Sequence, residues 1–359
     1  MTLILNEDDV ESLLDIDTCL AVLEPTFVDL GRGEAVSRPR THTYTYLRDA
    51  TYYNFKSMDG AVPRYGVHAL RLSSEVVQDT EVLGSRREEK LALAQDGRFV
   101  GLVMLFDLET TEPLAIIHDS GLQRLRVGAT SALAAKYLSR DDSRRVGLFG
   151  TGWQAGPQLE ALVRVRDIEE IVVFSLNPDR RRKFVATMAS RLDAKVIAAE
   201  APRDVVDGAD IVVCATNSLH PVFDGSWLVA GQHVNSLQSG ELDDATHQRA
   251  DVIAVRAREA SRSYYQAAAP QRSGLSQRWQ EHSERWNDKV VTLGGVMVGT
   301  EQGRARDDQI TLFGGSGTGP SSGLGVQFAA VGKVIYDAAV AGRVGREIPT
   351  EWFLEKHHP

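Results

Sequence analysis

The stretch "VGLFGTGWQAG", residues 146–156, decides the fold. It places Gly150, Gly152 and Ala155 in the spacing GxGxxA, after an apolar run and before a helical pattern. Gly150 can take a tight turn that a side chain would obstruct. The missing side chain at Gly152 lets the backbone approach a pyrophosphate, and Ala155 keeps the following helix close to the sheet. The free N–H groups at that helix's N-terminus then face the phosphates. Such a spacing alone is a weak signal. Here a strand precedes it, a helix follows it, and a second apolar strand, "EEIVVFSL", arrives at the right distance. The motif therefore predicts dinucleotide binding through Gly150, Thr151, Gly152, Trp153, Gln154 and Ala155.

Working outward, "KVIAA", "ADIVVCAT", "GQHVNSLQ" and "ADVIAV" continue a doubly wound series. The strand in "VVCATNSLHPVF" runs into a polar turn at the edge that lies over the cofactor. Thr216, Asn217 and Ser218 are thus expected beside the nicotinamide ribose or pyrophosphate, an ordinary capped turn being the alternative. The second strand ends "VVFSLNPDRRRKF". NAD binding favours an acid about 20 residues past the glycines. Ser175, Asn177 and Arg180 occupy this region instead, and such groups suit a 2′-phosphate. NADP(H) is expected over NAD(H), although Asp179 lies close enough to complicate the choice.

Before residue 123 the texture differs. Residues 1–20 give a short strand and then a helix opened by Asn6 or Asp8. The runs "THTYTYL", "ATYYNFKSM" and "YGVHALRL" read as antiparallel strands, and the charged run 84–99 as an exposed excursion. The first third is a β-rich α+β unit. "RLRVGATSALAAKYLS" then begins the middle unit with a small-residue helix. A polar interval, 256–288, suits helices and surface loops. The glycine-rich "ITLFGGSGTGPSSGLGVQ" leads to a last helix that is expected to pack back on the first unit.

The chain has 359 residues, 43% hydrophobic and 25% charged, enough for two domains of an ordinary globular protein. A net charge of -9 argues against nucleic-acid or anionic-membrane partners. Cys19 and Cys214 sit in apolar surroundings and read as buried thiols of a reducing compartment. The start "MTLILNEDDV" has no leader pattern, and no stretch approaches the roughly 20 apolar residues of a membrane span. A cytoplasmic protein is expected. The histidines are scattered, and "EKHHP" lacks partner ligands, so no metal site is expected.

In order and spacing, "GLVMLFDLETTEPLAIIHDSGLQRLRVGATSALAAKYLS" (101–139), "RRVGLFGTGWQA" (144–155), "ADIVVCATNSLHPVF" (209–223), "GQHVNSL" (231–237) and "ITLFGGSG" (310–317) resemble the ornithine cyclodeaminase/mu-crystallin family. The resemblance implies an α/β fold with a central Rossmann-type NAD(P)-binding domain, 125–314. It implies an α+β substrate and dimerisation domain from both chain ends, 1–124 plus 315–359. A homodimer and a carboxylate-bearing small-molecule substrate between the domains are expected with it. By resemblance, Arg40 and Arg126 would bind the carboxylate, with Arg38 and Arg48 as alternatives to Arg40. The family's "GvK" lysine falls on His68. Its catalytic aspartate falls in a shortened loop near Gly240, with Glu241 and Asp243 as substitutes.

Losing both groups makes ornithine cyclodeamination the poorer expectation. A single hydride transfer on an imine, 2-oxo acid or amino acid asks for orientation, a carboxylate anchor and one proton relay. Arg126 and Arg40 would hold the anion. His68 would act as general acid and contact the substrate, a hydrogen-bonded structural histidine being the alternative. An NADP(H)-dependent small-molecule binding protein of mu-crystallin type, without efficient turnover, is the competing expectation.

Overall fold

The computed structural model describes residues 1–82, 85–218, 220–238, 240–258, 263–266, 286–314 and 323–356. The glycine-rich 315–322, most of the polar interval 256–288, and His357 and His358 lie outside the described residues. The chain starts with β1 (Thr2–Leu5). Asn6 then opens α1 (Glu7–Leu13) in a reciprocal cap with Asp9. Asp15 caps α2 (Ile16–Arg32). Next come β2 (Val36–Ser37), β3 (Thr41–Arg48), β4 (Thr51–Val62), β5 (Val67–Val82), β6 (Ser85–Leu91), β7 (Val100–Asp107) and β8 (Pro113–His118). The charged run expected as an excursion is in part a strand, since β6 pairs with β5.

The long helix α3 (Asp119–Leu138) leads into β9 (Arg145–Phe149), α4 (Ala155–Val165), β10 (Glu170–Phe174), α5 (Pro178–Ala189), β11 (Lys195–Ala198) and α6 (Pro202–Val206). Then follow β12 (Ile211–Cys214), β13 (His233–Ser236), α7 (Asp244–Arg249), β14 (Val252–Val255) and β15 (Ser263–Gln266). The chain continues with β16 (Val290–Thr292), α8 (Leu293–Val298), β17 (Thr311–Gly314), α9 (Gly325–Gly342) and β18 (Arg346–Ile348).

Two sheets result. The order β11-β10-β9-β12-β13-β17-β14-β16 is parallel throughout, the Rossmann-type arrangement. The other runs β15-β3-β4-β5-β7-β8-β1-β18, with β2 on β4 and β6 on β5, and is mostly antiparallel. Both chain ends contribute to it, giving the second α+β unit. β15, which falls inside the interval 125–314, pairs with β3 of this sheet. Among the described residues no helix is long and apolar enough to cross a membrane. Cys19 and Cys214 are both buried, and burial pushes their thiols up.

Strand parity in the antiparallel sheet matters for the site. Side chains alternate between faces, and the β4–β5 register runs without a break from Thr51↔Gln78 to Val62↔Val67. Met58, Val62, Val67 and Ala69 are buried on the face covered by α9. Arg71 and Ser73 share that face. His68, Leu70 and Leu72 take the other.

The two sheets are joined through α3. Gly128, Ala129, Thr130, Ser131, Ala132, Ala134 and Ala135 are all buried, so the helix is enclosed on every side. A Cβ on Gly128 would stand 2.4 Å from the Pro157 carbonyl of α4. Asn235 of β13 donates to the Ser131 carbonyl (3.1 Å), and Gln327 of α9 donates to Thr130 Oγ1 (2.6 Å). Beside this joint, buried His233 bonds Thr311 Oγ1 (2.9 Å) and Asn235 Oδ1 (3.0 Å). Burial, helped by the Arg304 charge, pushes its imidazole down to about 3.

Two expectations follow. Gly128→Ala overpacks the α3–α4 contact and lowers stability by about 1–3 kcal/mol, read as an earlier urea midpoint. His233 is neutral in the fold but titrates near its ordinary value when unfolded. The unfolded state therefore binds the extra proton between pH 6.5 and about 3, and stability falls as pH drops through that window. The limiting slope is about 1.4 kcal/mol per pH unit, and His233→Asn should flatten it in acid-unfolding curves.

Candidate active site

Strand β9 ends at Phe149, and Gly150 turns the chain with φ 102. A Cβ there would strike the Ala215 carbonyl at 2.4 Å, so glycine is required on two grounds. At Gly152 a Cβ would meet nothing within 4 Å, which leaves open the space above the turn. Ala155 starts α4 fully buried; its N–H turns back to the Gly152 carbonyl (3.0 Å), and no side chain caps the helix. Thr151 Oγ1 lies 3.3 Å from Ser175 Oγ and links the turn to the end of β10. Trp153 is exposed, and Gln154 carries a buried Oε1 with no partner. These features fit a dinucleotide.

The loop after β12 is pinned from below. Thr216 donates its N–H (2.6 Å) and Oγ1 (2.7 Å) to Glu241 Oε1. Ser236 Oγ and Gln238 N–H donate to the other oxygen, each at 2.9 Å. Thr216 Oγ1 in turn accepts from Ser218 N–H (3.1 Å), while Asn217 is exposed. Burial raises the Glu241 carboxyl and the four donors oppose it. Glu241 is committed to holding two loops together. Asp243 is committed too, capping α7 through Thr246 N–H (2.7 Å) and accepting from Gly225 N–H (2.9 Å). Neither is placed as a substitute proton carrier.

The second part of the site rides on α3. Arg126 is fully buried, and its Nε and Nη2 donate to Gln123 Oε1 at 3.2 and 2.6 Å. Its guanidinium stacks over the Phe328 ring of α9 at 5.2 Å, and Arg71 stacks over the same ring at 5.5 Å. Arg71 Nε and Nη2 both donate to Asp119 Oδ2, at 2.9 and 2.6 Å. Buried Arg256 donates to the Gly323 carbonyl, and a Cβ on Gly323 would stand 3.1 Å from Arg126 Nη2. Burial pushes Arg126 down to about 9; Asp119 opposes this, while Arg71 and Arg256 add to it. Such a crowd of guanidiniums favours an incoming anion.

His68 is elsewhere. It lies 3.5 Å from Asp59 Oδ2, on the sheet face opposite Arg71, and Arg38 holds the other Asp59 oxygen. Arg40 is half-buried in the segment leading into β3. The structure thus groups Arg126 with Arg71, Asp119, Gln123, Phe328 and Arg256 and leaves His68 out. Sequence reading passed over Arg71 and Asp119. Parity puts Arg71 on the strand face of Val67 and Ala69, but only the register against β4 shows that this face is the covered one.

The family model for the ornithine cyclodeaminase/mu-crystallin family matches residues 1–343. The chain is 29% identical over 356 residues to the alanine dehydrogenase of Archaeoglobus fulgidus, covering 97% of this chain and 98% of that one. An archaeal alanine dehydrogenase dimer with bound NAD superposes with a TM-score of 0.77 at 26% identity, covering 97% and 99%. The Thermococcus litoralis Δ1-pyrroline-2-carboxylate reductase, in complex with NADH and L-proline, gives 0.76 at 24% identity, covering 97% and 100%.

The two solved structures hold NAD and NADH, which overturns the expectation of NADP(H) drawn from Ser175, Asn177 and Arg180. The geometry supplies a reason. Asn177 spends its side chain capping α5, accepting the Arg180 N–H at 3.0 Å. Arg181 folds over Phe174 at 5.2 Å and donates to the Ser175 carbonyl, and Arg182 pairs with Asp179. Ser175 Oγ lies 3.3 Å from the Asn177 carbonyl. Asn177, Arg181 and Arg182 thus serve the local helix start. With the family model spanning 1–343, the chain belongs to the ornithine cyclodeaminase/mu-crystallin family.

Proposed function

We propose that this chain is an NAD(H)-dependent oxidoreductase that transfers hydride on an imino-acid or amino-acid-like carboxylate. One observation carries the reading. The helix bearing buried Arg126 packs against the helix opened by the dinucleotide turn, with Gly128 against Pro157. Carboxylate anchor and cofactor turn are therefore held by one rigid contact. The likeness to an alanine dehydrogenase, and at 32% identity over 254 residues to the Δ1-pyrroline-2-carboxylate reductase of Bacillus cereus, supports the same substrate class.

In this reading Gly150 to Ala155, Ser175 and Thr216 to Ser218 hold the dinucleotide, which supplies or takes the hydride when bound. Arg126 fixes the substrate carboxylate, and the stacked Phe328 ring keeps its guanidinium in place. Burial of Arg126 means that the carboxylate it takes is held out of water. Arg40, in the segment leading into β3, is kept as the second candidate carboxylate anchor. His68 replaces the family lysine, and the loop at Gly240 lacks the family aspartate, which disfavours cyclodeamination. A homodimer, as in the archaeal alanine dehydrogenase, is part of the reading.

The purified chain with NADH should reduce Δ1-pyrroline-2-carboxylate, or pyruvate with ammonium, followed at the NADH absorbance band. Arg126→Met should raise KM for the carboxylate substrate at least about 30-fold with NADH affinity kept. NADH bound with no turnover of any member of the panel would instead favour a binding protein. Gly152→Val should fold normally, because nothing crowds that position, yet weaken NADH at least about tenfold in fluorescence titration.

A further inference from the structure

We propose that Asp119 receives the nitrogen of the substrate and that Arg71 is the positioning residue that holds it there. The inference rests on the reading of Arg126 as carboxylate anchor. Asp119, Gln123 and Arg126 are spaced i, i+4 and i+7, which aligns them on one face of α3. Long helical side chains lean toward the N-terminus. Arg126 does so, reaching back one turn to Gln123. Its guanidinium therefore points along the helix face toward Asp119.

Asp119 itself is nine-tenths buried and half used. Both Arg71 donors fall on Oδ2, and Oδ1 is buried with no hydrogen-bond partner. Among the described residues it is the one buried carboxylate with such an empty oxygen. Glu241 has both oxygens engaged by loop donors, and Glu75 is held by Lys56 and Lys90. The fold also makes room for this carboxylate. A Cβ on Gly101 of β7 would stand 2.8 Å from Asp119 Oδ2, so the strand gives up a side chain where the carboxylate sits.

An α-amino or α-imino acid carries a carboxylate and a cationic nitrogen on the same carbon. Arg126 and Asp119 present the complementary pair on one helix face, so the ligand's N–H donates to Asp119 Oδ1. Arg71 fixes the Asp119 rotamer through two bonds from one guanidinium and, stacked on Phe328, keeps Oδ2 occupied so that Oδ1 remains for the ligand. The arrangement selects for nitrogen over oxygen at the reacting carbon.

Matched ligands test this on the NADH-saturated protein, by NADH fluorescence or calorimetry. L-alanine is compared with L-lactate, and L-proline with tetrahydrofuran-2-carboxylate, pairs that differ at the nitrogen. Asp119→Asn should weaken the two amino acids at least about tenfold and shift the oxygen analogues less than about threefold, with NADH affinity unchanged. Arg71→Lys keeps the charge, loses the two-bond grip, and should give the same selective loss to a smaller degree. It carries the comparison should Asp119→Asn fail to fold. Equal weakening of both ligand classes, or none, overturns the inference and leaves Arg71–Asp119 as a structural pair. If the wild-type protein binds none of the four ligands, the site reading itself falls, and the inference with it.

Discussion

A fully buried guanidinium is the constraint on which the structure turns. Arg126 is fully buried in the helix that both sheets share. Burying a cation is costly unless hydrogen bonds and an opposite charge compensate it. Gln123, Asp119 and the Phe328 ring supply that compensation within the fold. The helix can carry such a group only because its other faces are small residues that allow α4 and α9 to close in. Charge, packing and the meeting of the two units are therefore one arrangement.

The Rossmann-type half was legible because its chemistry is local. A glycine that must turn, a glycine that must stay bare and an alanine that must pack lie within six residues, and apolar strands recur around them. The small-residue helix was legible for the same reason. Its role as the joint between two sheets was not, because the partners Pro157, Asn235 and Gln327 are distant in sequence.

The site was read less well, and the reasons differ by residue. In "YGVHALRL" both alternating sets are apolar, Val67 and Ala69 on one side and Leu70 and Leu72 on the other. Hydrophobic pattern could not say which face was covered. Register against β4 decides it, and it sends His68 away from Arg71. Asp119 opens α3 and faces Arg71, a partner 48 residues away that no local pattern points to. The arginine run after Asn177 has the composition of a phosphate site, but Asn177 caps the helix, Arg181 stacks on Phe174 and Arg182 takes a local ion pair. Composition cannot separate those uses; only the geometry and the cofactors of the solved relatives do.

A crystal structure of the ternary complex with NADH and L-proline tests the central claim most directly. The account predicts the proline carboxylate on the Arg126 guanidinium, with the nicotinamide of the dinucleotide bound at the Gly150–Ala155 turn beside it. His68 would remain paired with Asp59 on the far face of the sheet. A carboxylate lodged against His68, away from the Arg126 guanidinium, would contradict it.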